Sequence, residues 1–130
     1  MLALASTVAS TIASVLGASA RSVILHGSLA TGRFRPGRSD VDLLAIVDGG
    51  VTDAQAAALR ELLSDPIDLH VVTSAVAGRP SRAPAVELYL GHGEFSRDVP
   101  ADPDLPTELS EARARGRVLH GAPPAAVIAC

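Results

Sequence analysis

Two aspartates and a Gly-Ser pair are the residues in this sequence best placed to do chemistry. Asp40 and Asp42 stand two apart and open the apolar run Leu43-Leu44-Ala45-Ile46-Val47. In a strand, residues i and i+2 face the same side, so both carboxylates share one face and Val41 takes the other. Like charges held that close repel, and a divalent cation is the simplest compensation. Hard oxygen donors suit magnesium. Upstream, Gly27-Ser28 ends the run Val23-Ile24-Leu25-His26. It offers backbone N–H groups and a hydroxyl, the donors a phosphate needs. Phosphate donors beside a metal-holding carboxylate pair point to nucleotide chemistry. The plain alternative is that Asp40 and Asp42 form a solvated turn-to-strand junction.

The elements that must position these residues can be read along the chain. The first twenty residues carry no charge. A signal peptide would need a basic start and an unbroken apolar stretch; instead Ser6, Thr7, Ser10 and Ser14 interrupt the run. Leu4, Val8, Ile12, Val15 and Leu16 recur at helical spacing, which predicts an amphipathic helix over 3–17 stopped by Gly17. Val23–His26 reads as a buried strand and Leu29–Thr31 as the start of a short helix behind the Gly-Ser turn. Arg33, Arg35 and Arg38 follow in a loop; one of them pairing with a phosphate is set against plain solvation. Ser39 caps that loop or reaches a phosphate oxygen. Leu43–Val47 reads as a central strand and Asp48-Gly49-Gly50 as a turn. Thr52 with Gln55 is a capping box, opening a helix to about Ser64 with Ala58, Leu59, Leu62 and Leu63 inward, broken at Asp65-Pro66. Ile67–Val72 is the next strand, with Asp68 and His70 on one face. Residues 73–84 read as loop, Val86–Leu90 as a short edge strand, and Gly91–Phe95 as a flexible loop. Asp98–Pro106 reads as irregular. Asp104 is the expected cap of a helix from Leu105 to Arg115, with Leu109 and Ala112 inward and Glu108, Glu111, Arg113 and Arg115 outward. Val118–Gly121 and Pro123–Ile128 read as tail. No repeat and no membrane span is expected.

Gly27-Ser28, eleven residues, then Asp40-Val41-Asp42 in an apolar strand resembles the signature of the nucleotidyltransferase superfamily, enzymes built on the DNA-polymerase-β-type palm. That family carries a third carboxylate on a neighbouring strand, and Asp68 stands in the corresponding place. The later pieces narrow the resemblance to the N-terminal domain of the streptomycin/spectinomycin-type aminoglycoside adenylyltransferases: Pro36–Leu44, Asp68–Val72, Glu87–Gly91, Glu94-Phe95, Asp104 and Leu119-His120-Gly121. The resemblance implies an α/β (α+β) nucleotidyltransferase fold, a small mixed sheet with helices packed against it. It implies that Asp40, Asp42 and Asp68 bind magnesium, two ions clamping the attacking and leaving oxygens about 3.5–4 Å apart. Asp68 would also be the general base, where the antibiotic enzymes usually carry Glu. Gly27, Ser28, Ser39 and Asp104 would contact ATP, and Phe95 would stand where the family packs an aromatic on the antibiotic. His26 and His70 are read as structural or supporting.

Composition sets outer bounds. At 130 residues the chain suits one domain, 1–130. An apolar content of 48% with 19% charged residues describes a globular chain. The net charge of −3 argues against nucleic-acid partners. Every basic residue is Arg, so a P-loop lysine or a Schiff base is excluded. The lone cysteine, Cys130, makes no internal disulfide, and a cytoplasmic setting is expected.

The function expected is transfer of AMP from Mg-ATP to a hydroxyl, an aminoglycoside-type acceptor first. The second reading is an antitoxin-like minimal nucleotidyltransferase that adenylylates a protein partner. The third is a non-catalytic remnant or interaction domain. The resembled enzymes carry a further helical domain that closes the cleft, and this chain ends about where it would begin. A fragment, a stand-alone degenerate protein, or a site completed by a partner or a second copy all remain open at this stage.

Overall fold

A computed structural model describes the chain at every residue except 63, 65, 80 and 130. Leu63, Asp65 and Cys130, to which the sequence reading gave roles, lie outside the described residues. The elements run α1 (Leu2–Leu16), β1 (Ala20–His26), α2 (Gly27–Thr31), β2 (Val41–Val47), α3 (Asp53–Arg60), β3 (Ile67–Thr73), α4 (Ser74–Ala77), β4 (Val86–Gly91), β5 (Glu94–Val99), α5 (Leu105–Arg115), β6 (Arg117–Gly121) and α6 (Pro124–Val127). The six strands form one mixed sheet in the order β5-β4-β3-β2-β1-β6. β2 and β3 run parallel, with α3 in the connection between them; every other pair is antiparallel.

Strand alternation divides the apolar residues between two cores. On one face Val23, Leu25, Leu43, Ala45, Leu69, Val71, Leu88 and Leu90 meet α1 and α3 through Ile12, Leu16, Ala56 and Leu59. On the other, Ile24, Leu44, Ile46 and Val72 meet α4, α5 and α6 through Ala77, Leu105, Ala112 and the adjoining Ile128. β1, β2 and β3 are therefore buried on both sides, which is why they read as continuous apolar runs.

Most elements follow the sequence, and the departures have local causes. α1 buries Ala5, Val8, Ala9, Ile12 and Leu16, while Leu4 is exposed. Leu2–Ser19 is long and apolar enough to cross a membrane by length and composition alone; here one side of α1 is packed on the sheet. The capping box forms in full: the Gln55 N–H donates to Thr52 Oγ1 at 3.1 Å and the Thr52 N–H donates to Gln55 Oε1 at 3.0 Å. α3 nonetheless ends at Arg60, because its bonds tighten to i→i−3 at Glu61 and Leu62. Ala58 is exposed and Ala56 takes the buried place. β4 is not an edge strand: β5 pairs along it, so residues 91–95, expected as a flexible loop, are the end of β4, a two-residue turn at 92–93 and the start of β5. Residues 74–77 form a helical turn, with Thr73 Oγ1 accepting from the Val76 N–H. The expected tail over Val118–Gly121 is β6, paired with β1.

Candidate active site

On the α5 face the sheet is apolar for most of its breadth and turns polar at one end. There the alternation that places Ile24, Leu44 and Val72 in the core places His26, Asp42, Asp68 and His70 in neighbouring positions. His26 is the register partner of Asp42, Asp42 of Asp68, and His70 of Tyr89. Parallel neighbours in register stand about 4.8 Å apart, so Asp42 and Asp68 are adjacent because β2 and β3 are. Asp40 precedes β2 and joins them: His92 Nε2 lies 3.1 Å from Asp40 Oδ2 and 3.4 Å from Asp68 Oδ2. One ligand atom each from Asp40, Asp68 and His92 falls within 4.8 Å of the others. The three aspartates singled out from sequence thus converge.

The carboxylates are held under electrostatic load. Burial, then the charges of Asp68 and Asp40, push the Asp42 carboxyl up from 3.8 to about 7. Asp68 is buried; its Oδ2 accepts from the Tyr89 hydroxyl at 2.8 Å. Burial first, then that bond to Asp68, lifts the Tyr89 phenol beyond its ordinary range. Burial, and then the nearby His70, pull His26 down to about 4, so its imidazole is neutral. Two glycines let backbone approach the acids. Gly27 has φ +71, and any Cβ there would overlap Asp42 Oδ2. A Cβ on Gly91 would come within 2.7 Å of Asp68 Oδ2.

The remaining expected residues distribute around this centre. Gly27 and Ser28 open α2, with the Arg33 N–H donating to the Ser28 carbonyl at 2.8 Å. Ser39 caps its loop, its hydroxyl accepting from the Arg35 N–H at 3.0 Å. With Phe34, Arg38 and Asp40 it lines a cavity of about 430 Å³ that His92 also borders. Asp104 stands elsewhere, in a second cavity of about 380 Å³ with Asp68, His70, Tyr89, Glu94, Asp102 and Glu108. Asp104 makes no side-chain cap; its N–H instead donates to Asp102 Oδ1 at 2.9 Å. Phe95 is turned away from the site: it packs on the α1/α3 core, under the Arg60 guanidinium at 5.2 Å.

The sequence reading missed three site residues. Tyr89 binds Asp68 directly. His92 reaches the acids only because the β4–β5 turn closes with His92 at φ +52. Glu108, expected outward, is 3.2 Å from His70 Nε2 and is raised to about 7, first by burial and then by Asp68. Its signal was present, since Leu105, Glu108 and Ala112 fall on one helical stripe.

The arrangement fits a divalent cation: several hard oxygens, mutually repelling, one of them held protonated towards neutral pH. A mixed sheet with paired aspartates at β2, a third on its parallel neighbour and a Gly-Ser helical turn beside them has the organisation of a nucleotidyl-transferring fold. The nucleotidyltransferase domain model matches residues 12–89, and the chain belongs to that family. Among curated proteins, none matches its sequence. Among solved structures, the spectinomycin adenyltransferase AAD(9) from Enterococcus faecialis, crystallised with ATP and spectinomycin, superposes with a TM-score of 0.82 at 17% identity. The match covers 98% of this chain and 60% of that enzyme, so the chain spans about three-fifths of its length. A toxin–antitoxin structure with AMP-PNP matches with a TM-score of 0.50 at 14% identity, over 90% of this chain and 73% of that one.

Proposed function

We propose that this domain transfers AMP from Mg-ATP to a hydroxyl of a small cationic acceptor of the aminoglycoside or aminocyclitol type, in the cytoplasm, releasing pyrophosphate. The observation that carries this reading is the convergence of Asp40 and Asp68, with Asp42 the register neighbour of Asp68, where Asp40 borders one cavity and Asp68 another of opposite character. The cavity at Ser39 offers a hydroxyl and the Arg38 guanidinium, suited to a polyphosphate. The cavity at Asp68 gathers Glu94, Asp102, Asp104 and Glu108, suited to a cation.

Asp40, Asp42 and Asp68 would hold the magnesium, which supplies charge neutralisation on the phosphates and a lowered pKa on the acceptor hydroxyl. Gly27 and Ser28 would bind the phosphates through the N–H groups and hydroxyl at the start of α2. Ser39 would add a hydroxyl on the same side. Asp68, with Tyr89 fixing its Oδ2, would take the proton from the acceptor hydroxyl through the carboxylate facing the acidic cavity. The freed oxygen attacks the α-phosphorus and the bond to the β-phosphate oxygen breaks. In this reading Asp104 serves the acceptor side, since it lines the cavity with Asp68 rather than the one with Ser39. The chain would act as a single domain whose cleft is closed by a further segment, a partner or a second copy.

Incubation with radiolabelled ATP, magnesium and spectinomycin or streptomycin tests this. An AMP-labelled antibiotic, lost in Asp40→Asn/Asp42→Asn, is expected. Labelling of a co-purifying protein instead would favour the reading suggested by the toxin–antitoxin match. Magnesium-independent ATP binding that survives loss of the aspartates would overturn both.

A further inference from the structure

The two oxygens of Asp68 face different surroundings. Oδ2 is taken by Tyr89 and His92; Oδ1 looks towards His70, 3.6 Å from its Nδ1. That separation is too long for a hydrogen bond, and His70 Nδ1 has no partner among the described residues although the side chain is only 9% exposed. Across the ring, Nε2 stands 3.2 Å from Glu108 Oε2 and 3.8 Å from Asp102 Oδ2. Glu108 Oε2 is likewise buried without a hydrogen-bond partner. Tyr89 packs on the imidazole at 4.7 Å and fixes its plane. A buried imidazole nitrogen and a buried carboxylate oxygen, both unsatisfied and on opposite sides of one ring, are a cost that a fold normally removes.

We infer that Asp68, His70 and Glu108 form a second divalent-cation site, suited to a transition ion such as Zn²⁺, Co²⁺ or Mn²⁺, that ties the first turn of α5 to β3. One ligand atom from each residue lies within 4.8 Å of the other two. Ligand bonds of about 2.0–2.2 Å allow one ion to reach all three after small side-chain rotations. Glu108 is free to make them, being 30% exposed on its helix. Asp102 is a fourth donor, and the adjoining cavity of about 380 Å³ admits the water that completes the shell. Imidazole nitrogen with carboxylate oxygen suits a borderline transition ion, and this site differs from the group of Asp40, Asp68 and His92 in its imidazole, the buried His70 in place of the exposed His92. The site does not depend on AMP transfer, although it shares Asp68 with that chemistry and Asp102 and Glu108 with the acidic cavity assigned to the acceptor.

The test is Co²⁺ titration of the full chain, followed by visible d–d absorption, with Mg²⁺ present in excess to fill all-oxygen sites. One equivalent of Co²⁺, displaced by Zn²⁺, is expected in the wild type and in Asp40→Asn/Asp42→Asn. His70→Ala and the isosteric Glu108→Gln are expected to weaken binding by more than roughly tenfold, with circular dichroism confirming that each variant is folded. A wild type with no Co²⁺ band overturns the inference. So does unchanged affinity in folded Glu108→Gln, or loss of the band in Asp40→Asn/Asp42→Asn, which would place the ion at the other acids. None of these outcomes requires nucleotidyl transfer, so failure here and failure of the proposed activity are told apart.

Discussion

At the residue scale, Asp42 is where stability and function are set against each other. Its carboxyl is raised from 3.8 to about 7 by burial and by Asp68 and Asp40. The folded state therefore keeps a proton that the unfolded state gives up near pH 4. The stabilisation linked to that proton is present below about pH 4 and lost as pH rises towards 7. Above pH 7 the metal-free fold holds a partly buried, repelling charge. Asp42→Asn removes it. In EDTA the variant should gain nothing at pH 4 and on the order of 1 kcal/mol at pH 8, discounted because part of the group meets solvent. That corresponds to a Tm higher by roughly 3–5 °C, while magnesium should no longer raise the Tm. A variant less stable than wild type at pH 8 would show that Asp42 is satisfied by something other than a cation. His26 has the opposite slope. Its pKa falls from 6.5 to about 4, so its contribution is full above pH 6.5 and lost as pH drops towards 4. Comparing variant with wild type at each pH cancels that term.

At the element scale, two substitutions separate scaffold from site. Thr52→Ala removes half of the capping box of α3 and should cost about 1 kcal/mol, read as a Tm lower by roughly 3–5 °C. Because α3 packs on the face opposite Asp42 and Asp68, magnesium binding by this variant should be unchanged. Gly27→Ala acts in the reverse sense. A side chain at φ +71 is strained by roughly 1–3 kcal/mol, and its Cβ would displace Asp42 Oδ2. Calorimetry should show magnesium affinity lost while circular dichroism stays native; native affinity would separate the Gly-Ser turn from the acid site.

The same elements explain what the sequence could reveal. The shared face of Asp40 and Asp42 was legible from strand period, while Asp68 was set beside them only by the family resemblance; the parallel pairing of β2 and β3 supplies the physical reason. β5 and β6 were not legible. Glu94–Val99 is polar and only partly buried, and Arg117–Gly121 is mostly exposed, so neither carries a periodic apolar signal and only pairing defines them. His92 depends on the turn between two strands, one of which could not be seen, so nothing local announced it. Phe95 was open between a ligand and the core for the same reason: its side is set by register with Leu90, not by its own neighbours.

At the scale of the whole molecule, charge distribution matters more than net charge. The chain carries only −3 overall, yet Asp68, Glu94, Asp102, Asp104 and Glu108 line one cavity, with Arg38 bordering the other. Clustered carboxylates in a concave wall focus a field that draws cations and repels anions. Under the proposed function, that field would sort the two substrates to opposite sides of the three aspartates. Such a field is screened by salt: the Debye length falls from about 10 Å at 0.1 M to about 3 Å at 1 M. With ATP and magnesium saturating, raising ionic strength across that range should increase KM for a polycationic acceptor by roughly 3–10-fold and leave kcat nearly unchanged. Asp104→Asn/Glu94→Gln should raise KM at low salt and flatten the dependence. A KM indifferent to salt, or equal dependence in that variant, would mean that the acidic cavity does not meet the acceptor, and the cationic assignment would fall while the carboxylate centre stood.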